Sequence, residues 1–102
     1  MKQRTVVFSR PAQADLGSLY EWLAGVAGPE TALRYVNGIT DYCRSLGLGS
    51  HRGHLRNDLR EGLRVVGYKR RVTILFTVED KRVVILRIFY GGRNWEPLMR
   101  ED

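Results

Sequence analysis

The chain of 102 residues carries 17 Lys+Arg against 11 Asp+Glu, a formal net charge of +6, with 43% hydrophobic and 27% charged residues. That length suits one domain spanning 1–102, and that mix excludes a disordered chain. A single cysteine excludes a disulfide scaffold, and the absence of a long apolar run or signal-like N-terminus points to a cytoplasmic protein without a membrane segment.

Thr5 to Phe8 is a short β-prone run. Ser9 followed by Arg10-Pro11 supplies a helix N-cap with proline in the first turn, where its missing N–H costs nothing. Ala12, Leu16, Leu19, Tyr20, Leu23 and Ala27 then recur at helical spacing until Gly25 and Gly28 weaken the pattern, and Pro29 starts a second helix. Ala32, Tyr35, Val36, Ile39, Cys43 and Leu46 line one side of that helix, which makes Cys43 a buried thiol; Gly47 stands where a left-handed C-cap is expected. So short a link predicts an antiparallel helical hairpin.

Between Leu48 and Gly62 the periodicity fails, which predicts a loop with one helical turn near Arg56 to Leu59. The period then switches to strands over Leu63 to Tyr68, Val72 to Val78 and Arg82 to Tyr90, the last two joined by a turn at Glu79-Asp80-Lys81. Val72, Ile74, Phe76 and Val78 share one face, Thr73, Leu75 and Thr77 the other. On the last strand Val84, Leu86, Ile88 and Tyr90 alternate with Val83, Ile85, Arg87 and Phe89, so both faces are apolar and the strand is expected inside the sheet. Arg87 is the exception: an unpaired buried guanidinium costs several kcal/mol, so it must reach solvent, a carboxylate or a partner.

Chemistry-bearing motifs are few. His51 and His54 lie in a glycine-flanked loop and lack the further ligands that zinc needs, so no metal is expected. No serine sits in a nucleophile elbow and no Walker-type phosphate loop occurs, so neither a cofactor nor a small-molecule substrate is implied. Gly91-Gly92 reads as a bend that lets backbone approach another chain. What remains is a basic and aromatic set: Arg60, Arg64, Lys69, Arg70, Arg71, Arg87 and Arg93, with Phe89, Tyr90 and Trp95. Arginine forks grip phosphate or carboxylate and aromatic faces stack on bases or fill hot-spot pockets, so the set suits a nucleic-acid site or a protein interface.

The order β-α-α-β-β-β, the segment "RGHLRNDLREGLR" and the ending "VVILRIFYGGRNW" together resemble the ParE toxins of the RelE/ParE superfamily over nearly the whole chain. The matching positions are Arg56, Asp58, Leu59, Gly62, Leu63 and Arg64, then Arg87, Tyr90, Gly91, Arg93 and Asn94, with Tyr90 where histidine is common and Asn94 where aspartate is usual. The resemblance implies an α+β fold, a helical hairpin packed on an antiparallel sheet. It also implies the toxin of a type II toxin–antitoxin pair, acting on DNA gyrase or as a ribosome-dependent mRNA endonuclease.

Cleavage through the 2′-hydroxyl needs a proton acceptor, a proton donor and a cation at the phosphate. By resemblance, the nuclease places an arginine inside the third strand, an arginine after the last strand and a tyrosine near the C-terminus. Here those positions hold Thr73, Arg93 and Leu98 or Met99. The expectation is therefore a non-catalytic, ParE-like gyrase inhibitor, with Arg87, Tyr90, Arg93 and Trp95 binding the target. Arg60, Arg64 and Arg87 are expected to bind a ParD-like antitoxin through its acidic amphipathic C-terminal segment, in a hetero-oligomer. The mRNA endonuclease is the alternative. A plain nucleic-acid-binding module, recognised by steep salt dependence, is the second; a toxin acting on an enzyme should show little such affinity alone.

Overall fold

In the computed structural model, which describes residues 3–92 and 94–100, the chain leaves its first strand at Ser9 and turns straight into a helix. The elements are β1 (Thr5–Phe8), α1 (Arg10–Ala27), α2 (Pro29–Ser45), β2 (His54–Leu55), β3 (Arg64–Tyr68), β4 (Val72–Val78), β5 (Arg82–Tyr90) and α3 (Glu96–Met99). Ser9 caps α1 as expected, its Oγ accepting from Ala12 N–H at 3.1 Å. Gly28, at φ 94, joins the two helices, and Pro29 opens α2. Gly47 does not take the left-handed conformation expected of it. It is glycine because a Cβ there would overlap the Arg4 carbonyl oxygen, while Arg4 N–H bonds to the Gly47 oxygen at 2.8 Å.

The sheet order is β1-β5-β4-β3-β2. The purely antiparallel sheet expected from sequence is corrected at one edge: β1 pairs parallel to β5, from Thr5↔Arg82 to Phe8↔Ile85, because the helical hairpin returns the chain across one face before β5 is laid down. The helical turn in the 48–62 segment is present, with Leu59 and Arg60 N–H both bonded to the Arg56 oxygen.

The alternation on β5 differs from the sequence reading. Phe76 pairs with Ile85 and Leu75 with Arg87, so Leu86 is an extra, unpaired residue. This bulge reverses the in–out pattern beyond it. Val83, Ile85, Ile88 and Tyr90 face the helices together with Val72, Ile74 and Phe76, against Leu19, Ile39 and Cys43. Leu86 and Phe89 face the opposite side with Leu75, where Leu59, Leu63, Trp95 and Met99 cover them.

Candidate functional site at the end of the last strand

β1 stops at Phe8, so the outer edge of β5 loses its partner strand beyond Ile85. Ser9 fills the first gap, its N–H donating to the Ile85 oxygen at 2.9 Å and its Oγ to the Leu86 oxygen at 2.8 Å. The next donor, Ile88 N–H, is satisfied by Asp15 Oδ2 of α1 at 2.9 Å. The same carboxylate takes Arg87 in a bidentate pair, Nε to Oδ2 at 2.8 Å and Nη2 to Oδ1 at 2.9 Å. The Arg87 and Asp15 side chains are 26% and 14% exposed, and the hydrogen bond to Asp15 holds the guanidinium above its ordinary pKa. Of the three fates open to Arg87, the structure selects an internal carboxylate.

Arg87 also begins a row of contacts across the sheet face turned away from the helices. Its guanidinium carbon lies 4.7 Å from the centre of the Phe89 ring. Phe89 and Trp95 stack at 6.4 Å with planes 13° apart. Arg56 then sits over Trp95 at 5.8 Å. Arg56 bonds Asp58 at 3.0 and 2.9 Å and Glu96 at 2.7 Å, which raises its own pKa and holds the Asp58 carboxyl below the usual range. Of these contacts, aromatic stacking of the Phe89–Trp95 kind contributes about 0.5–1.5 kcal/mol. They fasten the C-terminal segment to the sheet, with Trp95 half-buried.

On the helix side, Tyr90 meets Trp22 at 5.6 Å and Tyr35 edge-on at 5.9 Å. An open cleft of about 260 Å³ runs here between α1 and β5, lined by Asp15, Ser18, Leu19, Trp22, Ile88, Phe89 and Tyr90. The Tyr35 hydroxyl is buried without a hydrogen-bond partner among the described residues, and burial, then Tyr90 and Tyr68, push its pKa up.

Three of the expected site residues, Arg87, Tyr90 and Trp95, therefore gather around the end of β5. Arg64 does not join them: it lies on β3 and donates from Nε to the Arg52 oxygen at 3.0 Å. Arg60 is exposed on the loop before β3. Arg93 and any role tied to it lie outside the described residues. His51 and His54 are exposed, and β3 and β4 stand between the strand carrying His54 and β5, a separation of about 14 Å at ordinary strand spacing. Among the described residues no group of acidic, histidine or cysteine side chains could hold a metal, and no helix is long and apolar enough to cross a membrane.

A family model described as the ParE toxin of the type II toxin–antitoxin system parDE matches residues 6–95. The chain belongs to the ParE toxin family. Among solved structures, this ParE-type toxin is similar to a chain of the chromosomal ParDE toxin–antitoxin system from P. aeruginosa. The two are 28% identical, the match covers 90% of this chain and 100% of that one, and the TM-score is 0.77. A chain of the toxin–antitoxin complex RelBE2 from Mycobacterium tuberculosis matches at 20% identity over 86% of this chain and 98% of that one, with a TM-score of 0.62, a likeness of fold. None of the curated proteins compared matches.

The block that carried the ParE resemblance is structural in this chain. Leu59 and Leu63 are buried, Gly62 takes φ 78 while its N–H bonds to Asn57 Oδ1, and Arg56 ties the turn to the C-terminal segment. Sequence reasoning missed Asp15, although a signal existed: it falls at three- and four-residue spacing between the buried Ala12 and Leu19, an acid on the apolar stripe of α1. Sequence analysis singled out only the arginine of the part-buried Asp15–Arg87 ion pair and passed over its carboxylate.

Proposed function

We propose that this ParE-type toxin inhibits DNA gyrase by non-covalent binding, stabilising the complex in which DNA is cleaved, and that a ParD-like antitoxin silences it. Its family membership supports the toxin role, and the commitment of Asp15 carries the non-catalytic part. Among the described residues at the end of β5 this carboxylate is already accepting from Arg87 and from Ile88 N–H, so it is a fixed strut rather than a proton acceptor. Tyr90 sets its ring against Trp22 and Tyr35 and so contributes an aromatic face to this surface. Such a surface supplies shape and charge to a partner. Anchors of this kind typically cost about 2 kcal/mol or more when lost.

The antitoxin would be a small protein with an acidic amphipathic segment. Trp22, Val26 and Leu33, 53%, 64% and 53% exposed on the helical hairpin, offer apolar area for it. Arg60 and Arg64 offer charge, and Arg87 offers the donors that Asp15 leaves free.

The test is a gyrase supercoiling and cleavage assay with the purified toxin, run beside mRNA end-mapping after induction. The expected result is lost supercoiling with trapped cleavage complexes, and Arg93→Ala should abolish toxicity with an unchanged circular dichroism spectrum. Defined transcript breaks on translating ribosomes with gyrase unaffected would replace this reading with the mRNA endonuclease.

A further inference from the structure

The turn between β3 and β4 consists of Lys69, Arg70 and Arg71, all exposed. Lys69 and Arg70 sit at φ 51 and 64, the left-handed region that residues with a Cβ rarely enter. Positive φ at two successive positions is ordinarily supplied by glycine or asparagine. Here two long cations hold those positions, so the tip gives up local stability for charge. Among the described residues none of the three makes an ion pair.

Facing the tip is the bend after β5. Gly91 N–H bonds to the Arg71 oxygen at 2.7 Å, and a Cβ on Gly91 or Gly92 would meet nothing within 4 Å. Between them lies a concavity of about 390 Å³ lined by Lys69, Arg70, Arg71, Gly91 and Gly92. Among the described residues three cations and two glycines form its wall, and no apolar side chain does. An amphipathic acidic peptide would find only methylene stems and glycine backbone there for its apolar residues, whereas a phosphodiester backbone needs only cations and room for close approach.

We propose that Lys69, Arg70 and Arg71, with the Gly91-Gly92 bend, form a binding site for the phosphodiester backbone of a nucleic acid. Three phosphate contacts hold weakly and are visible alone only at low salt, which separates this local grip from a module tracking phosphates along its whole basic half. The site does not depend on which enzyme the toxin engages, so this proposal and the gyrase reading can fail independently.

The experiment titrates the full chain against a fluorescein-labelled 20-base-pair DNA duplex, and against a single-stranded RNA of equal length, by fluorescence anisotropy from 25 to 150 mM salt. Duplex binding should show a slope of log K on log salt of about −2.7, at roughly −0.9 per phosphate. The variant Lys69→Asn/Arg70→Gly should lose about 1.8 of that slope and bind about tenfold more weakly at 50 mM salt. Its turn suits the backbone better, so its melting temperature should be equal or higher, and lost binding cannot then be ascribed to unfolding. Whichever nucleic acid binds names the source of the phosphates. Poly-glutamate, standing for an acidic protein, and Arg10→Gln/Lys81→Gln, removing two exposed charges elsewhere, are the controls. The proposal is overturned if the wild type binds neither nucleic acid at 25 mM salt, or if the turn variant binds like wild type. It is equally overturned if the control pair weakens binding as much, or if the turn variant loses only poly-glutamate.

Discussion

Asp15→Ala should destabilise the fold by about 3 kcal/mol, because it removes the partner of a mostly buried guanidinium and of a strand-edge N–H together. The carboxylate accepts at 2.8, 2.9 and 2.9 Å from Arg87 Nε, Arg87 Nη2 and Ile88 N–H. A hydrogen bond to a charged group contributes about 1.5–3 kcal/mol net, and leaving one half of a desolvated pair alone adds the penalty of the stranded charge. Arg87→Ala should cost about 2–3 kcal/mol, losing the pair and its contact with Phe89. The double variant should fall well short of the sum, leaving a coupling of about 2 kcal/mol. Asp15→Asn, which retains an acceptor for Ile88 N–H, should lie between wild type and alanine. Urea unfolding followed by circular dichroism reads all four, and a loss of about 3 kcal/mol corresponds to a melting temperature lower by roughly 12–24 °C for a domain of this size. A coupling below about 0.5 kcal/mol would refute the reasoning and reduce the pair to an ordinary surface contact.

Burial pushes the Cys43 thiol up to about 12 from 9.0. The unfolded thiol ionises first, so the stability linked to Cys43 is intact below pH about 9 and lost as pH rises toward 12. Wild type should lose about 1 kcal/mol more per pH unit in that window than Cys43→Ala, as measured by urea unfolding, and parallel curves would remove the effect. Gly47→Ala should destabilise by more than 1 kcal/mol because its Cβ meets the Arg4 backbone. Gly17→Ala, mid-helix with nothing within 4 Å of its Cβ, should stabilise by about 0.5–1 kcal/mol. Equal melting temperatures for these two variants would contradict the packing argument.

Much of this fold was legible in local patterns. Ser9 with Pro11, and Pro29 after Gly28, mark where helices begin, and the period of the apolar residues separates two helices from three strands, because capping and burial periodicity are properties of neighbouring residues. The two-residue β2 and the four-residue α3 escaped it, being too short to show any period. The ParE membership was legible too, through two blocks in order, and so was the requirement that Arg87 find a counter-charge. Which counter-charge it found, 72 positions away on α1, was not. That depended on β1 ending early, on an extra residue at Leu86 reversing the faces of β5, and on the helix returning across the open edge. Strand register and bulges arise from pairing between distant segments, and one unpaired residue turns over every side chain that follows. Chemistry of individual side chains was therefore written in the sequence, while the partners that occupy them were decided only when the chain closed on itself.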